Sequence, residues 1–151
     1  MSLETKISND LKTAMKAKDA ARLRAIRAIK AAILVRKTDG SGDAIDEQEE
    51  IKILQKLVKS RKESLGIYEK QNREDLAKIE REEIEVLKTY LPVQMSEMEL
   101  RKMLSSIIEN ENAIGMKDMG RVMGKANQQL AGRADGKMIA QIVKDILSQS
   151  I

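Results

Sequence analysis

Leu3, Ile7, Leu11 and Met15 recur every fourth position with polar residues between them, the repeat of a helix that buries one stripe and ends near Lys18. Asp19 then stands where an N-cap belongs, ahead of a second helix that runs to about Lys37 and turns Leu23, Ile26, Ile29 or Lys30, and Ile33 inward. Thr38-Asp39-Gly40-Ser41-Gly42-Asp43 breaks the periodicity and predicts a loop. Beyond it Asp46, with Glu49 three residues on, opens a long third helix. Its stripe is Ile51, Leu54, Val58, Arg61, Leu65 and Tyr68, and it ends near Gln71. Asn72, with Asp75, is placed to cap a fourth helix holding Leu76, Ile79, Ile84 and Leu87.

Leu91-Pro92 should stop that helix, because the residue before a proline is pushed out of the helical region. Ser96 and Glu99 form a capping box for a fifth helix, Glu97 to about Glu109, burying Leu100, Leu104, Ile107 and Ile108. A sixth helix is expected over about Lys117 to Leu130 and a seventh over about Gly136 to Ser148, with Asp135 as its N-cap. The pattern predicts an all-α protein: an N-terminal helical domain of about four helices, residues 1–91, followed by a small C-terminal three-helix bundle, residues 93–151.

Composition narrows the chemistry. Histidine and cysteine are both absent, which removes the commonest general base, thiolate chemistry, disulfides and the usual zinc ligands. With no Phe or Trp and only Tyr68 and Tyr90, the core is expected to be aliphatic and rich in methionine. No run approaches the roughly 20 apolar residues of a membrane span, and the amino terminus has no signal-peptide core, so a cytoplasmic protein is expected. Carboxylates do not gather in a calcium-loop pattern, and neither a metal nor a cofactor is expected.

Charge divides by segment: ten basic and three acidic side chains in residues 1–37, ten and fourteen in 38–92, eight and seven in 93–151. The basic first pair of helices is expected either to pack beside the acidic second pair or to be merely solvated. Between Ala113 and Lys144, six basic residues face two acidic ones, a local net of +4. In the sixth helix Met119, Val122, Met123, Ala126 and Leu130 form an apolar stripe, with Lys117, Arg121 and Lys125 opposite.

Gly120 and Gly124 lie to the side of that stripe. Each costs about 1 kcal/mol against alanine in a helix interior, so something is expected to come close to the backbone there. A tight crossing with a neighbouring helix is the plainer reading, and a phosphate backbone framed by the cations is the other. At the turn Gly132-Arg133-Ala134-Asp135-Gly136-Lys137 a phosphate would find free amides, Arg133 and Lys137, unless the Asp135 carboxylate already caps the helix, which is the simpler expectation. No catalytic residue stands out: there is no Gly-x-Ser-x-Gly elbow, Ser-x-x-Lys pair or phosphate loop, and Glu82-Glu83 and Glu49-Glu50 look like solvated faces.

Four motifs fall in order along the chain: Arg61-Lys62-x-Ser64, Tyr90-Leu91-Pro92-x-Gln94-x-Ser96, Asp118-Met119-Gly120-x-Val122-Met123-Gly124 and Gly132-Arg133-Ala134-Asp135-Gly136. By these the chain resembles the YqeY family, whose GatB/YqeY domain is shared with the tail of the B subunit of glutamine-dependent aminoacyl-tRNA amidotransferases. The resemblance implies an all-helical protein with a tail-like carboxy-terminal domain. In the larger enzyme the tail contacts tRNA, and amide chemistry occurs elsewhere. The family label of carbon–nitrogen ligase with glutamine as amide donor therefore describes that enzyme, and no catalytic residue carries over. Lys117, Arg121, Lys125, Arg133 and Lys137 carry over as candidate RNA contacts. A non-catalytic tRNA-binding or amidotransferase-associated protein is the first expectation, and the near absence of aromatics favours reading of RNA shape over base stacking. A helical protein adaptor without RNA binding is the alternative.

Overall fold

A computed structural model describes residues 2–42 and 44–149; Asp43 of the expected loop lies outside the described residues, as do Met1, Ser150 and Ile151. Seven α-helices follow one another without a strand among these residues: α1 Leu3–Ala17, α2 Ala20–Lys37, α3 Glu47–Lys70, α4 Glu74–Lys88, α5 Glu97–Asn110, α6 Met119–Gln129 and α7 Gly136–Gln149. A single 3₁₀ turn, Met116–Asp118, leads into α6, so Lys117 stands before that helix rather than in it.

Short polar side chains start most of these helices by satisfying amides that have no partner within the first turn. Ser2 accepts from the Thr5 amide at 3.2 Å, Asp19 from Arg22 at 3.1 Å and Asp46 from Glu49 at 2.8 Å. Ser96 and Glu99 close a full capping box on α5. The box expected on α3 stays half-made, because the Glu49 carboxylate turns to Arg36 at 3.4 Å. Asn72 does not cap α4. It takes a left-handed backbone, φ 56°, and ends α3 instead, with the Arg73 amide reaching back to the Tyr68 carbonyl at 2.9 Å. α4 consequently begins at Arg73 with no side-chain cap.

The chain divides into two compact units, residues 1–91 and 92–151. In the first, α2 packs against α1, α3 and α4, and the core comprises Leu3, Ile7, Ala14, Ala25, Ile26, Ile29, Ile33, Leu54, Val58, Ile84 and Leu87. Met15 is exposed and Ala14 takes its place. A strict four-residue repeat drifts by about 40° per step at 100° per residue, so Met15 has turned about 120° from Leu3 while Ala14 is only about 20° away. Ile79 is turned outward in the same way on α4, and at the ambiguous α2 position Ile29 is buried and Lys30 exposed.

The second unit closes on Leu100, Leu104, Ile107, Ile108, Val122, Ala126, Leu130, Ala134, Ile139, Ile142, Val143 and Leu147. No methionine is buried among the described residues. Met95, Met103, Met119 and Met123 pack only at the margin, which corrects the expectation of a methionine-rich core. Branched aliphatic chains with few rotamers fill both centres, and the flexible thioethers are left to the edges.

Candidate nucleic-acid interface

α6 presents two unlike sides. Val122 and Ala126 are fully buried, Leu130 just beyond the helix is nearly so, and all three belong to the core of the second unit. Gly120, Arg121, Gly124, Lys125, Asn127 and Gln128 are exposed. A Cβ built on Gly120 or on Gly124 meets nothing within 4 Å. The tight helix crossing expected at these glycines is therefore absent within the second unit, whose other helices do not reach them. Asn127 lies about 20° from Gly120 around the helix and Gln128 about 40° from Gly124, so two amides that motif reasoning passed over share this face. A helical wheel alone would have found them.

The five cations divide by what already holds them. Arg121 donates to the Glu111 carbonyl at 2.9 Å and lies 3.4 Å from the Asp118 carboxylate and 3.7 Å from that of Glu111. Asp118 also accepts from the Ile114 amide at 3.0 Å. That hydrogen bond, with Arg121 and Lys117 nearby, holds its carboxyl below the usual range. Arg121 thus clips the α5–α6 connection.

Arg133 donates through Nε to the Val93 carbonyl at 3.2 Å, the Met95 amide donates to the Arg133 carbonyl at 2.9 Å, and the Gln94 amide group reaches the Gly132 carbonyl at 2.6 Å. Gly132 makes this turn with φ 76°, a conformation that side chains disfavour. Two family-like motifs are in this way strapped together by one backbone and two side-chain hydrogen bonds. At the start of α7, Asp135 accepts from the Lys137 amide at 3.0 Å, so its carboxylate occupies the place an anion would take. The side chains of Lys117, Lys125 and Lys137 form no ion pair among the described residues.

Tyr90 and Arg61, from the other motifs, are bound into the first unit. Tyr90 donates to Asp10 at 2.6 Å, and the Lys6 ammonium lies 5.1 Å from its ring centre. Burial, followed by the Asp10 carboxylate, pushes the Tyr90 phenol up to about 12. Arg61, on the inward stripe of α3, lies 3.0 Å from Glu83, whose other oxygen accepts from Arg24 Nε at 3.1 Å. Glu83 is buried, which corrects the expectation of a solvated Glu82-Glu83 face. The arginine on an apolar stripe was the signal: a guanidinium carried inward needs an acid to meet it. Arg24 joins α2 to Glu82 and Glu83, and Arg36 joins it to Glu49, so part of the basic first pair does pack beside the acidic second.

Among the described residues no three acidic side chains converge as metal ligands, and no helix is long and apolar enough to cross a membrane. A family model described as Yqey-like protein matches residues 4–147. The chain belongs to the YqeY-like family. Its similar proteins include three yeast proteins named altered inheritance of mitochondria protein 41, mitochondrial. The one from Vanderwaltozyma polyspora is 35% identical over 119 residues, 75% of this chain and 64% of that protein. That from Meyerozyma guilliermondii is 34% identical over 134 residues, 82% of this chain and 70% of its own length. That from Lachancea thermotolerans is 32% identical over 152 residues, 95% and 81% respectively. These names assign YqeY-like relatives to mitochondria and overturn the cytoplasmic expectation. Composition of a folded helical chain reports an aqueous surface, and aqueous compartments share that demand.

Proposed function

We propose that this YqeY-like chain is a non-catalytic binding module whose α6 face rests on the sugar-phosphate backbone of a folded RNA of the tRNA class. The observation that carries the reading is the pair Gly120 and Gly124, exposed one turn apart with open space where side chains would stand. Gly124, inside α6, costs about 1 kcal/mol relative to alanine and Gly120, in its first turn, costs less, and no neighbouring element lies within reach of either to offset that cost. A backbone brought against bare helix would find Lys117 and Lys125 at the rim and the Asn127 and Gln128 amides on the face. Arg121 and Arg133 serve the fold first, so the electrostatic contribution rests mainly on the lysines. The resemblance to the amidotransferase tail supports RNA as the occupant.

A protein partner is the second reading. It is favoured by the exposed Ile114 and Met116, which stand just ahead of α6, and by the tethering of both arginines. Binding of the full chain to total tRNA, duplex RNA and duplex DNA at two salt concentrations separates the two. The RNA reading expects preference for tRNA, affinity that falls with salt, and loss of binding in Gly120→Leu with folding retained. Equal weak affinity for all three nucleic acids, unaffected by Gly120→Leu, overturns it.

A further inference from the structure

The charges gathered around the buried Glu83 do not balance. On α4, Glu80 and Glu83 are three residues apart and so neighbours on one helix face. Arg24 reaches Glu83 from α2 and Arg61 reaches it from α3, the two helices against which that face packs, and Glu82 on α4 shares Arg24. Three carboxylates therefore meet two guanidinium groups. Both oxygens of Glu83 are engaged, one by the Arg24 hydrogen bond at 3.1 Å and one by Arg61 at 3.0 Å. Glu80 has a buried oxygen, Oε2, with no hydrogen-bond partner, and the Arg61 Nε, though close to Glu83, is not aligned to donate. A buried acceptor without a donor is costly, and a like charge beside it adds to the cost.

We propose that Glu80 carries a proton on its unpartnered buried oxygen, and that this proton sets how tightly α4 is clamped to α2 and α3. A proton taken from solvent onto Glu80 converts the orphan oxygen into a hydroxyl that donates to Glu83. It also brings three acids and two arginines to neutrality. Burial and then the Glu83 charge push the Glu80 carboxyl above its ordinary value, with Arg61 opposing. The sign follows: a carboxyl raised on folding lends stability that is full below its unfolded value and is lost as pH rises through the folded one. The clamp therefore tightens under mild acid and loosens toward neutrality.

The test is a carboxyl-carbon NMR titration of the full chain, with thermal unfolding at pH 5 and pH 7.5 of the parent, Glu80→Gln and Glu80→Leu. Glu80 is expected to titrate above the ordinary glutamate range. Glu80→Gln, which donates permanently, should raise Tm by a few degrees at pH 7.5, and that gain should shrink at pH 5. Glu80→Leu should gain less, because it relieves the charge without donating to Glu83. Titration of Glu80 at an ordinary value overturns the proposal, whether or not the variants fold. So does a Gln gain that is the same at both pH values, or one matched by Leu.

Discussion

Glu83 and the Gly120–Gly124 pair each break a rule of helix building, and the chain answers only one of the two violations. A carboxylate on a buried helix face is costly, and here α2 and α3 each send an arginine to it. Two glycines inside a short helix are also costly, and no other helix of the second unit reaches them. The first violation is answered from within the unit, by arginines of its own helices, and this explains why Arg61 stands in an otherwise apolar stripe. The second is left unanswered, which is why the search for a partner belongs at α6 and not at the charge cluster.

The largest effect expected from breaking this contrast is at Glu83. Glu83→Ala would strand two guanidinium groups, but Arg24 is well exposed and Arg61 keeps some contact with solvent, so the loss should fall below the roughly 3 to 5 kcal/mol of a fully buried broken pair. About 2 kcal/mol, read from the urea midpoint at unchanged m-value, is the expected outcome. A loss near zero would mean that the cluster is a solvated face after all. No effect on RNA binding is expected.

Most of the helix pattern was legible because it rests on local rules. The Ser96 box, the Asp19, Asp46 and Asp135 caps, and the α5 stripe all depend on residues within one or two turns of each other. Misreadings arose where a choice was settled at longer range or by a competing end. Asn72 fits an N-cap by type, but the turn between α3 and α4 needed its left-handed backbone. Met15 fits a four-residue repeat but not a helix of 3.6 residues per turn. The candidate site was legible as a set of residue types and not as a set of roles. Arg121 and Arg133 look like free cations in sequence, and only the fold brings Glu111 and the Val93 carbonyl to them. Gly120 and Gly124 suggest a close neighbour in sequence, and the fold leaves open space beside both.

A smaller effect, opposite in sign, is expected at the glycines. Both lie within α6 at ordinary helical angles and have space for a methyl group, so alanine fits without strain. Gly124→Ala should stabilise the second unit by about 0.5 to 1 kcal/mol, through helix propensity and a less flexible unfolded chain, and Gly120→Ala, in the first turn, by less. Thermal unfolding checks this directly. A loss of stability would reveal a close contact and return the glycines to the packing explanation. A gain in stability together with weaker tRNA binding would sharpen the contrast, since the chain would be retaining a less stable helix to keep that face bare.

The smallest structural effect belongs to the lysines, and there the contrast is tested through binding alone. Lys117, Lys125 and Lys137 form no ion pair among the described residues, whereas Arg121 holds Glu111 and Asp118. Changing the three lysines to Glu should leave helicity and Tm nearly unchanged, because surface substitutions away from caps and cores seldom matter to folding. Arg121→Glu should be harsher, since it places a third acid beside the two that Arg121 now satisfies. If the α6 face meets phosphates, the lysine variant should bind tRNA more weakly and with a flatter dependence on salt, each lost phosphate contact removing close to one unit from the logarithmic slope. The Arg121 variant should lose stability first and binding as a consequence. Should the lysine variant keep both its affinity and its salt slope, the open face of α6 would have to be covered by something other than a polyanion, and a protein helix lying across the two glycines would become the better occupant.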